Sequence, residues 1–219
     1  MSNITNFLAQ KGHRRWVGPD DPNDKVRDAI TPFLIECGLK PEHTLCDVGC
    51  GTMRNGKILI DYLDAENYYG IEAAKAALDE GIAKELDAEV INAKTPHFLA
   101  NSTFNLAFFD VHMDWILSYA VFIHCGRKQL RQLLKNIRDM VIKFNQPTTL
   151  LLDLNIGPRK VERGKIVRYE SSHCEVVYPE NLIRKILKNY GGEILSDHKL
   201  SIDIHSNRKQ FMTQFIPQT

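Results

Sequence analysis

One stretch constrains the fold more than any other. From Thr44 to Glu72 the chain reads TLCDVGCGTMRNGKILIDYLDAENYYGIE. Leu45, Cys46 and Val48 form the short apolar run of a buried parallel strand. Gly49 and Gly51 follow where the chain must turn sharply, and without a Cβ they let a ligand approach the backbone. From Arg54 to Leu63, Ile58, Leu59, Tyr62 and Leu63 recur at helical spacing. Tyr68 to Ile71 is a second apolar strand, with Glu72 at its carboxyl end. This is half of a mononucleotide-binding fold, with backbone amides and a helix start on one side. On the other side stands a carboxylate suited to ribose hydroxyls.

The chemistry of the turn bears on the ligand. A dinucleotide fingerprint requires G-x-G-x-x-G, and here the sixth position is Arg54. A pyrophosphate is also disfavoured by a neighbouring acid, and Asp47 stands just before Gly49. S-adenosylmethionine carries an amino group and a sulfonium instead of phosphate, so an acid beside the turn suits it. A nicotinamide or flavin cofactor, or a purely structural loop, are the alternatives.

The turn resembles motif I of the class I S-adenosylmethionine-dependent methyltransferases. An ordered set extends the likeness to a bacterial branch of that family: His13, Arg14, Val17 and Gly18; then Asp47, Gly49, Cys50, Gly51, Arg54 and Gly56; then Tyr69, Gly70, Ile71 and Glu72; finally Val121, Phe122 and His124. The resemblance runs from about Gly12 to Asn136. It implies a Rossmann-like α/β fold, with a mostly parallel seven-stranded sheet, a C-terminal antiparallel hairpin and helices on both faces. It also implies methyl transfer to a small-molecule or glycan acceptor, since members of this branch look like enzymes of bacterial surface-polysaccharide or secondary metabolism. Two positions depart from the pattern. Ala73 stands where proline is frequent, and Ser118-Tyr119-Ala120 replaces a common Ala-Gln-Ser.

Composition narrows the alternatives. The chain has 219 residues, enough for one domain with a sizeable core, and a formal net charge of +1, which makes no broad claim on nucleic acid or anionic lipid. No apolar run is long enough to cross a bilayer, and the N-terminus has no hydrophobic signal core. Cys37, Cys46, Cys50, Cys125 and Cys174 are odd in number and scattered, which fits a reducing, cytoplasmic setting better than a disulfide framework. No metal site is expected, because the histidines make no ligand triad.

The expected organisation is a lead-in or lid over 1–24 and a cofactor-binding domain over 25–219. In the lead-in, His13, Arg14 and Arg15 either face the substrate or the cofactor's carboxylate, or belong to a flexible tail. Asp24 to Cys37 is a helix capped by Gly38, and 74–84 is a crossover helix. Residues 88–92, AEVIN, read as a third strand that ends at Asn92, a weak candidate for the adenine pocket. The NSTFNLAFF segment is a second candidate for the adenine edge. Met113 to Phe122 reads as a central strand, with Ser118 and Tyr119 near its carboxyl end and His124 directly after it. Arg127 to Phe144 is the longest helix, and Thr148 to Leu154 is the fifth strand. A basic tract from Arg159 to Arg168 reads as a solvated hairpin or an anion-binding loop. Pro179 to Tyr190 is the last helix, before strands over 193–204 and 209–216.

The expected roles follow from methyl-transfer chemistry. Asp47 meets the amino group of the methionine half, the backbone at Gly49, Cys50 and Gly51 lies along the cofactor, and Glu72 accepts from the ribose. Arg54 pairs with the cofactor's carboxylate, with Asp47 or with Glu72, and Ser118 belongs with the cofactor contacts. An oxygen acceptor must lose a proton, which makes His124 the candidate base and Tyr119 a candidate for positioning the acceptor. The rival readings are a nucleotide-dependent oxidoreductase and a non-catalytic binding or partner protein on the same fold.

Overall fold

The computed structural model describes residues 25–157, 167–168, 174–199 and 208–217. The lid candidates His13, Arg14 and Arg15, and the basic tract from Arg159 to Lys165, lie outside the described residues. The chain divides into two compact units, Met1–Ser102 and Thr103–Thr219.

In the first unit, α1 (Lys25–Glu36) precedes β1 (Leu45–Val48), α2 (Gly56–Tyr62), β2 (Tyr68–Glu72), α3 (Lys75–Glu85), α4 (Ala88–Lys94) and β3 (His97–Ala100). Helix α1 ends as expected at Gly38, whose φ of +105° suits only glycine, and the Leu39 amide reaches back to the Leu34 carbonyl. The three strands run parallel in the order β3-β2-β1, with Asp47 opposite Gly70 and Glu72 opposite Ala100. Every residue of β1 is buried, so an apolar run without alternation is what this strand needs.

One segment differs from expectation. Residues 88–94 form helix α4, and the third strand is His97–Ala100. A short apolar run does not distinguish strand from helix by its period alone. Asp87 adopts an extended backbone at the N-cap, and Thr95 closes the helix in the left-handed region. Asn92 therefore sits exposed on a helix, away from the carboxyl end of a strand. That end belongs to Ala100 and Asn101, and the Asn101 amide donates to the Glu72 carbonyl at 2.8 Å.

The second unit holds β4 (Trp115–Ser118), α5 (Arg127–Phe144), β5 (Thr148–Ile156), the two-residue strands β6 (Val167–Arg168), β7 (Cys174–Glu175) and β8 (Val177–Tyr178), α6 (Glu180–Asn189), β9 (Gly192–His198) and β10 (Arg208–Phe215). Strand β4 pairs parallel with β5, β5 pairs antiparallel with β10, and β10 pairs antiparallel with β9. The expected terminal hairpin is therefore present. The apolar stripe of α5 is buried from Leu130 through Val141, and α6 packs on β9.

Strand β4 is shorter than its apolar composition suggests. It stops at Ser118, and Ala120 turns the chain with φ +59°. Tyr119 and Phe122, the buried residues of the expected strand beyond Ser118, lie in the turn that follows, so their hydrophobicity reflects loop packing. No helix among the described residues is long and apolar enough to cross a membrane.

Candidate functional site

In the first unit the carboxyl ends of β1 and β2 and the turn between β1 and α2 bring six of the proposed cofactor residues together. Gly49 (φ +80°) and Gly51 (φ +57°) lie in the left-handed region, which lets the chain reverse within three residues. The amides of Gly49 and Cys50 donate to the Ile71 carbonyl at 2.7 and 3.2 Å. The Gly51 amide donates to Glu72 Oε2 at 3.1 Å. These three successive amides are thus satisfied by the end of β2. A phosphate cradle requires such amides free, so the expected offer of backbone donors is not what this turn makes. The arrangement argues against a dinucleotide.

Glu72 Oε1 also accepts from the Ala74 amide at 2.8 Å. Each oxygen carries two lone pairs, so a half-buried carboxylate held by two backbone donors can still accept from a diol. Asp47 is buried, and its Oδ2 accepts from the Tyr68 hydroxyl at 3.0 Å. Burial raises its pKa from 3.8 to about 7, the tyrosine hydrogen bond opposes that rise, and the negative charge of Glu72 adds to it. A cation placed here would stabilise the ionised form.

Thr52 Oγ1 and Asn55 Oδ1, also in this turn, are buried without a hydrogen-bond partner. Asn55 stands at the N-cap of α2 without capping it through its side chain. Native proteins seldom leave such groups unpaired, and a polar ligand along the turn would satisfy them. The turn is seated on α3 at Gly81, where a Cβ would stand 2.5 Å from the Thr52 Cα. Arg54 is half-buried ahead of α2, which begins at Gly56, two residues later than the periodicity suggests. Cys50 is buried, and burial holds its thiol well above its ordinary pKa, so it serves as packing and not as a nucleophile.

The second unit contains a polar cluster that sequence reasoning missed. Asp153, fully buried near the end of β5, forms an ion pair with Arg208 and accepts from Gln210 Nε2 at 2.7 Å and from the Ala120 amide at 2.9 Å. The Arg208 guanidinium lies 4.6 Å from the Tyr119 ring centroid, so Tyr119 is held from above by a cation and is itself buried. Burial pushes the Asp153 carboxyl up, and Arg208 and the hydrogen bonds pull it back. Ser118 is buried at the end of β4, and its hydroxyl has no partner.

His124 does not follow β4 directly. It is exposed in the turn before α5, its amide donating to the Val121 carbonyl at 2.9 Å. That turn is anchored by the Val176 amide on the Ile123 carbonyl at 2.6 Å and by the Tyr178 hydroxyl on the Cys125 carbonyl. His112 meets Thr148 Oγ1 at 3.1 Å and Asp114 at 3.6 Å, a structural setting at the start of β5. Among the described residues no cluster of three metal-ligating side chains occurs.

Comparison with known proteins agrees with this architecture. Residues 45–143 match the model of a family described as a methyltransferase domain. No curated protein matches the sequence significantly. Among solved structures, the magnesium protoporphyrin IX methyltransferase of Synechocystis PCC 6803 with bound SAH superposes with a TM-score of 0.66 at 18% identity, covering 99% of this chain and 95% of that one. The glycopeptide N-methyltransferase MtfA complexed with S-adenosyl-L-homocysteine gives 0.65 at 12% identity, covering 99% and 98%. An S-adenosylmethionine-dependent methyltransferase from Clostridium acetobutylicum ATCC 824 gives 0.63 at 14%, covering 97% and 99%. The chain has the Rossmann-like class I S-adenosylmethionine-dependent methyltransferase fold, with a mixed, mostly parallel sheet and flanking helices.

Proposed function

We propose that this protein is an S-adenosylmethionine-dependent methyltransferase acting on a small-molecule or glycan acceptor, with oxygen as the receiving atom. One observation carries the reading: the β1–α2 turn spends the amides of Gly49, Cys50 and Gly51 internally and presents two acids, Asp47 and Glu72. That is a site for an amino group and a ribose, and a poor one for phosphates. The matched methyltransferase family and the fold shared with cofactor-bound methyltransferases support it.

When bound, S-adenosylmethionine supplies a methyl group on an electrophilic sulfonium. The chain's own residues do the rest. Asp47 takes the ammonium group, Glu72 accepts from the ribose hydroxyls, and Thr52 and Asn55 gain the partners they lack. Arg54 and Arg14 are assigned to the cofactor's carboxylate, and Ser118 to a polar contact with the cofactor. Asn92, exposed on α4, is withdrawn as an adenine contact in favour of the Asn101–Ser102 end of β3. His124 is assigned the acceptor proton, and Tyr119 helps shape the acceptor pocket.

Two outcomes follow. Glu72→Ala removes the ribose acceptor and the bond that holds Gly51, and is expected to weaken cofactor binding by about 10–100-fold, from one to two hydrogen bonds. Calorimetric titration with S-adenosylhomocysteine checks this, and unchanged affinity removes Glu72 from the site. His124→Ala is expected to lower turnover by about 10²-fold or more while leaving cofactor affinity within about twofold, as loss of a general base does. Transfer of a labelled methyl group to a panel of sugars, phenols and amines finds the acceptor. Label appearing on amines alone contradicts the oxygen assignment.

A further inference from the structure

Tyr68 opens β2 opposite Leu45, and it is almost wholly buried. Its ring meets Phe98 edge-on, with centroids 6.1 Å apart. Its hydroxyl donates to Asp47 Oδ2 at 3.0 Å. The space for that hydroxyl exists because residue 56 is glycine: a Cβ on Gly56 would stand 2.6 Å from the Tyr68 oxygen. A buried phenol is thus clamped by an aromatic edge on one strand, a bare Cα on a helix and a carboxylate on the neighbouring strand. Phenylalanine would fill the same volume, so the hydroxyl contributes something other than packing.

We propose that Tyr68 is a positioning residue: its hydroxyl, seated in the space Gly56 leaves, fixes the Asp47 carboxylate in the orientation that receives the cofactor's ammonium group. This rests on the cofactor reading given above. The ionisable groups facing Asp47 are Tyr68 and Glu72 from β2, Cys46 from its own strand and Cys50 from the turn. The two thiols are held neutral by burial, and Glu72 opposes ionisation. The tyrosine donor is therefore the group in this set that favours the charged carboxylate. Asp47, half protonated near neutrality when the site is empty, loses its proton to solvent as the ammonium arrives, so cofactor capture is linked to pH.

The test is titration of S-adenosylhomocysteine into the wild type, Tyr68→Phe and Gly56→Ala at pH 6, 7 and 9. Loss of one hydrogen bond to the charged form raises the Asp47 midpoint by about one unit. The expected loss of affinity in Tyr68→Phe is then about tenfold at pH 6, about fivefold at pH 7 and less than about twofold at pH 9. Gly56→Ala, which crowds the hydroxyl without removing it, should shift the profile in the same direction. A loss of equal size at every pH, or no loss, overturns the role of Tyr68 while wild-type binding upholds the cofactor reading. Failure of the wild type to bind at any pH overturns both.

A second measurement needs no variant. At pH 6.5 the ligand's α-amino group, a free amino-acid amine that titrates above the range of a chain N-terminus, is already charged. Calorimetry in two buffers of different ionisation heat should therefore show more than about half a proton released per ligand bound. Release of none overturns the link between cofactor capture and pH, and the Tyr68→Phe titration then decides the positioning role alone.

Discussion

Replacing Arg208 with alanine is expected to destabilise the protein by about 3–5 kcal/mol at pH 8, the usual consequence of removing one partner of a buried ion pair. Asp153 would remain fully buried, keeping the Gln210 and Ala120 donors but losing its cation. Its folded-state pKa, already raised by burial, would rise further, because the Arg208 charge is the strongest influence that lowers it. An acid whose folded pKa lies above its unfolded value penalises folding once pH exceeds the unfolded value. The penalty is absent where both states are protonated. The deficit should therefore shrink as pH falls towards 4, and urea unfolding at pH 4, 6 and 8 measures it. Replacing both charges, Asp153→Asn with Arg208→Met, should recover much of the loss. A deficit that does not vary with pH would mean that lost packing on Tyr119 matters more than the stranded charge.

The second large effect has the opposite sign. Asp47, with a pKa of about 7 in the folded protein against an ordinary 3.8, opposes folding of the empty protein as pH rises from about 4 to 7. Three units correspond to roughly 4 kcal/mol. Asp47→Asn removes this group's titration while keeping an oxygen for the Tyr68 hydroxyl. The unfolding free energy of the variant minus that of the wild type should therefore increase by about 4 kcal/mol between pH 4 and pH 8. Denaturant unfolding of both proteins across that range supplies the difference, and a flat difference would show that the carboxylate is not destabilised by burial. The same variant should bind cofactor poorly. An acid held in the core at such a cost, and relieved by a bound cation, exchanges stability for function.

What could be read from the sequence follows from where the determining contacts lie. The β1–α2–β2 segment was legible because glycines, apolar runs and the terminal acid all act within 29 residues of chain. Helix α5 was legible because a stripe of apolar residues at three- and four-residue spacing has one economical solution. The AEVIN run misled because five residues with two β-branched side chains satisfy either period, and packing decides the outcome. Strand β4 looked too long because Tyr119 and Phe122 are buried by the turn they belong to.

The Asp153 cluster was invisible for a different reason. Its partners stand 55 and 57 positions away, and only the antiparallel register, with Gln210 opposite Asp153 and Arg208 opposite Asn155, brings them together. The spent amides of the motif I turn were equally hidden. Glycines announce that a backbone comes close to something, and here that partner is the end of β2.

The central claim is that the turn after β1, with Asp47 and Glu72, holds S-adenosylmethionine. Its most direct test is calorimetric titration of S-adenosylhomocysteine into the wild-type protein at pH 8, alongside NAD. The account predicts saturable one-to-one binding of the first, lost in Asp47→Asn and weakened in Glu72→Ala, and no binding of the second. Binding of NAD alone, or S-adenosylhomocysteine binding that both substitutions leave unchanged, would contradict it.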